Sequence, residues 1–286
     1  MAMSQKLLRP RARRFTLALS AADYIAAVEA ADGEPLEDAV RAAITEFFTG
    51  CAADGNSAAL QAGCVLMGAR TLAGALVPLV GPAPRNYGFV AGDYSRTLGL
   101  LGDGVAKYLD TGFNHSAVPQ DNYHMAYAGT FPVGWMMGRG FGLESRASVI
   151  NVAGQAATEV RLGARCGSVA RTISGSAFAG ASRSSAASFT THTSAGGSQD
   201  HAAASASPLS GNVFVFATNY FNDGTAYVPT ACRCQYYSLG LAVNLSALSA
   251  RVAALRSAIA AAITVGPTPI SLWKAETFAP SYHWSM

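Results

Sequence analysis

Residues 212–219 read NVFVFATN, and this stretch decides the fold class. In an extended chain Val213 and Val215 point to one side while Phe214 and Phe216 point to the other. A strand that is apolar on both faces is typical of the middle of a sheet that is covered on both sides. The stretch therefore predicts a central β-strand in a protein with at least two packed layers.

Further short runs with aromatic or β-branched residues flank this strand, and Gly, Asn, Asp, Ser or Pro separates them. The runs are NYGFVA, AKYLDT, YHMAYAG, SVINVA, TEVRLGA, SVARTIS, SFTTHTS and CRCQYYSLG, all between residues 85 and 240. Strands repeated at this spacing, with no long helical pattern between them, favour an antiparallel sandwich over a parallel α/β sheet. The sequence thus predicts a mainly β protein.

Helical patterns precede this region. Ser20 followed by Asp23 has the form of a capping box, which predicts a helix that ends at Gly33. A second helix is expected from Pro35 to Phe48, with Gly50 as its stop. A shorter third helix is expected over residues 57–67.

A helical pattern returns after Gly240. Five apolar residues lie at alternating spacings of three and four and form one seam: Leu245, Leu248, Val252, Leu255 and Ile259. This amphipathic helix either docks on its own chain or associates with copies of itself. The tail behind it is aromatic and is expected to lie in a groove of its own body or of a neighbour; its large residues are Trp273, Phe278, Tyr282 and Trp284.

The chain has few charges. Only 13% of its 286 residues are charged and 50% are hydrophobic, with a formal net charge of +3. A surface with so little charge suits a protein whose faces are covered in an assembly. Basic residues concentrate in an amino-terminal arm that is either a solvated tail or a contact for nucleic acid or an acidic surface: Arg9, Arg11, Arg13 and Arg14. We expect no membrane span, because Pro78 interrupts the apolar run TLAGALVPLVGPAP.

Five cysteines are present, and two of them, Cys232 and Cys234, are spaced C-x-C. An odd number in a chain of this length argues against a disulfide framework and favours synthesis in a reducing compartment. Structural zinc sites use C-x2-C pairs, and the sequence has no such pair. We therefore expect buried thiols.

No catalytic pattern stands out. LGLLGDGVAKYLD (98–110) lacks the Lys-Ser/Thr of a phosphate loop, and Asp103 lacks the further carboxylates of a calcium loop. The GDG tripeptide is interpreted as a tight hairpin turn. The sequence also has no H-E-x-x-H and no G-x-S-x-G motif. We expect neither an enzyme nor a metal or other cofactor.

Two Asn/Asp-rich turns have aromatic neighbours, PQDNYH and NYFNDGT. Such a composition occurs in sugar-binding loops and equally in ordinary turns. The candidate residues for glycan contact are Asp121, Asn122, Asn222 and Asp223.

The succession LGDGVAKYLDTGFN, PQDNYHMAYAG, a Ser/Gly-rich middle and then GNVFVFATNYFNDGTAYVPTACRCQYYSLG before a terminal helix resembles a known family. It is similar to the concanavalin A-like, laminin-G-like jelly rolls of structural proteins in tailed bacteriophages, over about residues 85–260. The resemblance implies an antiparallel jelly-roll β-sandwich and a virion component, such as a head decoration protein, a tail fibre or an adaptor. Some members of the family bind carbohydrate, but no ligand residue carries over.

From these observations we expect three parts. Residues 1–84 comprise the basic arm and short helices for virion contacts, residues 85–240 the sandwich, and residues 241–286 the helix and aromatic tail. The expected function is that of a non-enzymatic virion protein made in the host cytoplasm. Its expected partners are copies of itself, most simply in a trimer, and other virion proteins. The alternative is a glycan-binding or glycan-cleaving protein that engages host polysaccharide. Nucleic acid is a less favoured partner.

Overall fold

The structure, a computed structural model, describes residues 20–264 except 142–143, 153–157 and 222. Its helices are α1 (Ala21–Asp32), α2 (Asp38–Ala53), α3 (Leu72–Ala75) and α4 (Leu245–Thr264). Its first eight strands are β1 (Leu60–Val65), β2 (Arg85–Tyr87), β3 (Tyr94–Ser95), β4 (Gly99–Leu101), β5 (Tyr108–Asn114), β6 (Tyr123–Thr130), β7 (Gly134–Arg139) and β8 (Ser148–Val152). The others are β9 (Glu159–Ala164), β10 (Val169–Thr172), β11 (Ser176–Arg183), β12 (Ser188–Thr193), β13 (Gly197–Ala202), β14 (Asn212–Val215), β15 (Thr218–Asn219) and β16 (Arg233–Gly240).

These strands form two eight-stranded sheets. Sheet A has the order β13-β12-β11-β6-β16-β4-β3, with β1 also paired to β16. Sheet B has the order β10-β9-β8-β7-β14-β5-β2, with β15 also paired to β7. Apart from the two-residue β15–β7 contact, the described pairs are antiparallel. The mainly β prediction is confirmed, and the two antiparallel sheets make a sandwich plausible.

The predicted central strand is where the sequence placed it. β14 lies between β5 and β7, and Val213, Phe214 and Val215 are buried. The strand ends earlier than the alternation suggests, because Phe216 takes a left-handed backbone conformation with φ of 71°. The stretch NVFVFATN thus supplies two strands, β14 and β15.

Sheet A is covered on both faces, as β6 shows. Its Met125 and Tyr127 belong to the core that also holds Met136, Ile150 and other side chains of sheet B. Ala126 and Ala128 alternate with Met125 and Tyr127 along the strand, point to the opposite face and belong to a second core. Because these alanines are small, helices can approach that face of the sheet closely.

The helices form a layer on this outer face of sheet A. The second core joins Val28 of α1, Val40 and Phe47 of α2, and Val252 of α4 to Tyr236 of β16. Ion pairs add to the packing: Arg251 of α4 binds Asp54 at the end of α2 at 2.8 Å. The molecule therefore has three layers, namely the helices, sheet A and sheet B.

The first predicted helix is confirmed. Ser20 caps α1 by accepting a hydrogen bond from the Asp23 N–H at 3.1 Å, and its hydroxyl donates to the Asp23 carboxylate at 2.7 Å. The helix ends at Gly33, whose φ of 74° suits a residue without a Cβ.

The predictions for the next two helices need correction. Gly50 does not end α2, which continues to Ala53. This glycine is instead where the Arg251 side chain crosses the helix, so a Cβ at position 50 would lie 2.6 Å from Arg251 Cδ. The third helix is wrong: residues 57–59 form one 3-10 turn, and β1 follows. The small apolar residues of β1 fill an inner strand against β16, an environment that local pattern does not reveal.

The GDG hairpin is also wrong. The segment before it, β4, pairs with β16 in sheet A, whereas the segment after it, β5, pairs with β2 and β14 in sheet B. Asp103 instead organises a crossing between the sheets, because its Oδ1 accepts the N–H groups of Val105, Ala106 and Lys107 at 2.8 to 3.0 Å. Gly104 has a φ of 73°, a left-handed conformation that glycine adopts without steric cost, so it still fits the turn that begins this crossing.

The division at residues 84 and 240 stays a prediction about domains. Contacts across both boundaries are extensive, because β1 is a strand of sheet A and α4 packs on α2 and β11.

Candidate functional site

An exposed aromatic patch is formed by residues at the two ends of β7 and by the segment that follows β15. We define the aromatic patch as Val133, Trp135, Phe141, Tyr220, Phe221, Tyr227 and Val228. Four of these side chains are unusually open for their type: Phe221 is 61% exposed, Val133 53%, Val228 43% and Phe141 38%. A contiguous apolar surface of this kind in a soluble domain marks an interaction site.

The rings of the patch touch one another. Phe141 lies 5.5 Å from Trp135, 5.7 Å from Tyr220 and 6.4 Å from Tyr227, measured between ring centroids. Tyr220 lies 4.6 Å from Phe221 and 5.4 Å from Tyr227. Because each ring limits the motion of the next, the patch offers a preorganised surface with little entropy left to lose on binding.

Buried polar contacts hold the patch in place. The backbone N–H of Trp135 donates to Thr230 Oγ1 at 2.6 Å, and Tyr227 exchanges two backbone hydrogen bonds with Thr218. Arg139, which is only 5% exposed, donates through Nη1 to the carbonyl oxygens of Asn219 and Tyr220 at 2.8 and 3.0 Å. Burial lowers the pKa of this guanidinium, but it stays charged at neutral pH.

The backbone of the patch is strained at one position. Val228 has φ of 51°, in the left-handed region that a β-branched residue rarely adopts. Such a conformation persists only where the surroundings impose it, and it often marks functional segments. Here it leaves the Val228 side chain 43% exposed beside Tyr227.

The two predicted glycan loops are attached to different parts of the molecule. Asn122 Oδ1 accepts the Ala242 N–H at 2.7 Å, next to the last strand of sheet A. Asp223 caps its own turn by accepting the Thr225 N–H at 2.8 Å, and the adjacent Gly224 carbonyl accepts the Tyr108 hydroxyl of β5. Along the chain, Asp223 is two positions after Phe221 of the aromatic patch. Asp121 lies in the other loop. Asn222 lies outside the described residues.

The α4 seam is buried within the chain itself. Leu245, Leu248, Val252, Leu255 and Ile259 are all at most 3% exposed and belong to the core that α4 shares with α2 and sheet A. The arm residues Arg9, Arg11, Arg13 and Arg14 and the tail residues Trp273, Phe278, Tyr282 and Trp284 lie outside the described residues. Their roles stay predictions.

Two buried serine–histidine pairs have the spacing of a nucleophile and its base. His115 Nε2 lies 2.7 Å from Ser148 Oγ, and His124 Nε2 lies 3.0 Å from Ser238 Oγ. All four side chains are 0% exposed, so neither hydroxyl is open to a substrate. In each ring Nδ1 faces a backbone carbonyl oxygen. We interpret both pairs as hydrogen bonds of the core.

Two arginines are also wholly buried. Arg183 donates through Nε to the Ala164 carbonyl, and its Nη1 contacts further carbonyls, including that of Ser188 at 3.0 Å. The Arg165 guanidinium lies 4.5 Å above the Tyr123 ring and donates to the Pro119 carbonyl. Since backbone carbonyls surround both groups, these side chains tie loops to the sandwich.

The five cysteines are buried and unpaired, as expected. Among residues 20–264, apart from 142–143, 153–157 and 222, no group of three or more His, Cys, Asp or Glu side chains could hold a metal ion. By length and composition alone α4 could cross a membrane, with a mean hydropathy of 1.3 over its most apolar window. A buried helix of a soluble protein passes the same test, and α4 packs its apolar seam on its own chain.

Comparisons with known proteins give little guidance. No protein-family model and no curated protein matches the chain. A solved structure from Shewanella oneidensis MR-1, a protein of unknown function, is similar over 56% of this chain and 74% of its own, at 11% identity and a TM-score of 0.28. A TM-score this low identifies neither a shared fold nor a shared function.

The sequence pointed to only part of the patch. NYFNDGT overlaps the patch, but no pattern in the sequence pointed to Val133, Trp135 and Phe141. The one available signal was a tryptophan followed by a phenylalanine across two glycines. Alternation along β7 could not show that Val133, directly before this strand, is exposed.

Proposed function

We propose that this chain is a non-enzymatic structural protein of a bacteriophage virion, and that the aromatic patch is a surface through which it contacts neighbouring copies of itself in the particle. The aromatic patch carries the proposal. A protein that diffuses freely would lose solubility by exposing Phe221, Val133 and Val228 together, whereas an assembled protein buries them. The low overall charge and the resemblance to phage jelly rolls support the same reading.

We further infer that the two sheets form a concanavalin A-like jelly roll. Antiparallel neighbours that are distant in sequence, such as β6 with β16 and β14 with β7, are consistent with this topology. A trimer is the assembly that we favour.

Light scattering on the full-length chain tests the proposed contact. We expect an oligomer, and Phe221→Glu should lower its mass because a carboxylate would be buried in the interface. Val105→Glu is the matched control, since Val105 is 77% exposed and lies outside the patch. An equal loss of mass in both variants, or a wild-type monomer at high concentration, would contradict assembly through the patch. An antibody against the chain should also decorate purified virions.

The second candidate is glycan binding, which one observation favours. The exposed Phe221 ring contacts the half-buried Tyr220 and Tyr227 rings, and the exposed Asp223 follows two positions later in the chain, so apolar ring faces and a hydrogen-bonding side chain belong to one segment. A glycan array tests this, with Phe221→Ala and Asp223→Ala expected to lose any signal. Absence of binding by the wild-type chain would exclude it and leave the assembly proposal untouched.

A further inference from the structure

A groove follows the seam between α2 and α4 on the outside of the helix layer. The two helices run antiparallel, because Arg251 pairs with Asp54 at the end of α2 while Ile259 and Val40 both lie against Gly68. The last turn of α4 therefore lies over the first turns of α2. A segment that leaves α4 at Thr264 and follows the seam toward the N-terminal end of α4 would therefore reach Arg251.

The groove widens at its far end. A depression of about 530 Å³ is lined by small or polar side chains with one arginine: Ala42, Thr45, Glu46, Thr49, Ala53 and Arg251. A smaller depression adjoins it on the side of Leu255 and Ala258 and shares Glu46 and Arg251. The two depressions meet at Glu46 and Arg251.

We propose that the chain's own carboxyl-terminal segment, residues 265–286, folds back along this groove and places Trp273 in the larger depression. The lengths agree. From Thr264 back to Arg251 is 13 helical residues, or about 20 Å at 1.5 Å each. Residues 265–273, which include two prolines, span up to about 28 Å at 3.1 Å per residue in an extended polyproline conformation. Gly266 and Pro267 come two and three positions after Thr264 in the sequence. A glycine followed by a proline commonly ends a helix and redirects the chain.

The chemistry of the groove fits this occupant. The Arg251 side chain is 37% exposed, hydrogen-bonds to Asp54 and lines both depressions, so an indole ring in the larger one would meet its guanidinium. Glu46 is exposed on the edge that the two depressions share. Lys274, the neighbour of Trp273, brings the opposite charge to that edge. The small side chains of Ala42 and Ala53 leave room for a large ring.

Docked in this way, the tail covers part of the outer surface of the helix layer and leaves the aromatic patch free. The inference is independent of the proposed function, since the patch lies on residues of sheet B and its loops. Its failure would leave the assembly proposal unchanged, and the reverse also holds.

Disulfide trapping in the full-length chain tests the docking. The five native thiols are buried, so introduced surface cysteines react alone. We expect Glu46→Cys with Lys274→Cys to form an intramolecular disulfide several-fold faster than Asp38→Cys with Lys274→Cys. Asp38 is the matched control, because it is an exposed acid of α2 that lies nearer to the end of α4 but outside the groove. Equal rates for the two pairs would overturn the proposal. Covalent dimers as the main product would assign the groove to the tail of another copy and would overturn it as well.

A charge swap provides a second readout that needs no oxidation. With Trp135→Phe and Trp284→Phe, fluorescence reports Trp273 alone. Acrylamide should quench it several-fold less than in the unfolded chain. Glu46→Lys and Lys274→Glu should each raise the quenching, and the two together should restore the shielding. Ala42→Arg should expose the indole, whereas Ala26→Arg on α1 should not. Full quenching in the wild-type chain, or shielding that Ala42→Arg leaves intact, would contradict the docking.

Discussion

The Arg251 side chain of α4 occupies the space that a side chain at Gly50 of α2 would need: a Cβ at position 50 would lie 2.6 Å from Arg251 Cδ and Nε. The arginine uses this opening to reach Asp54, whose pKa its hydrogen bond lowers. The contact between α2 and α4 therefore depends on the absence of a side chain at one position of α2.

A double-mutant cycle should measure this dependence. In the native chain Gly50→Ala gains about 1 kcal/mol of helix propensity but displaces Arg251 and weakens its exposed ion pair with Asp54, so its net effect should be smaller than the propensity gain. In an Arg251→Ala background the same change should stabilise by the full propensity difference. Urea denaturation of the four proteins gives the coupling. Equal effects in both backgrounds would show that the side chain is not held at Gly50.

Stability should fall as the pH falls from about 6.5 toward 4. Burial lowers the pKa of His115 to about 3 and that of His124 to about 4, so both stay neutral in the folded chain while they take up protons in the unfolded chain. Below their unfolded pKa near 6.5, each histidine costs about 1.4 kcal/mol of stability per pH unit until its folded pKa is reached. Burial also lowers the pKa values of His192 and His201, which adds to the same slope.

Denaturation at a series of pH values measures this slope, and an NMR titration should show the His115 and His124 rings unchanged between pH 7 and 5. Five carboxylates of the described residues have a lowered pKa in the folded chain: Glu29, Glu37, Asp54, Asp93 and Asp103. Their contribution to stability is lost mainly below the unfolded pKa values of about 4, so it does not interfere between pH 7 and 5. Stability that is constant or higher at pH 5 than at pH 7 would contradict the prediction.

Gly129 of β6 should tolerate no side chain. A Cβ there would collide with the backbone carbonyl of Arg233 and lie 2.8 Å from the Tyr127 hydroxyl. Gly129→Ala must therefore move β16, where the register already shifts between Cys234 and Tyr236, at a cost of about 1–3 kcal/mol or more. Thermal and urea unfolding measure the loss. Gly167→Ala is the control, since nothing lies within 4 Å of a Cβ at that position; a similar cost at both sites would refute the steric argument.

The thiols should be inert in the folded protein. Burial raises the pKa of Cys51, Cys64 and Cys232 to about 12 and that of Cys234 well above its usual value, which leaves almost no thiolate of these residues at neutral pH. Ellman's reagent should react with all five cysteines in urea and with none rapidly in native buffer. A fast thiol in the native chain would show that one of them is exposed on the time scale of the reaction.

The sequence predicted the elements with strong periodicity. The capping box at Ser20, the seam of α4 and the central β14 all follow from local pattern, since each depends on neighbours within a few residues. β1 was mistaken for a helix because its burial comes from β16, which is 180 positions away at the Leu60–Gly240 pair. The prediction of a GDG hairpin was wrong for a similar reason, because the residues of a turn do not reveal which sheet the next strand joins. The patch residues Val133 and Phe141 were missed because side-chain exposure depends on where strands end, and pattern alone does not determine it.

The pairing of β1 with β16 also bears on when the protein can fold. On the ribosome, β1 emerges long before its partner, and α1 and α2 have little of sheet A to cover until β6, β11 and β16 are made. Contacts this distant in sequence are formed late and slowly. The apolar faces of α1 and α2 therefore stay exposed until synthesis has passed Gly240, and chaperones or other nascent chains can bind them during that time. The chain is thereby exposed to aggregation mainly before its last strand appears.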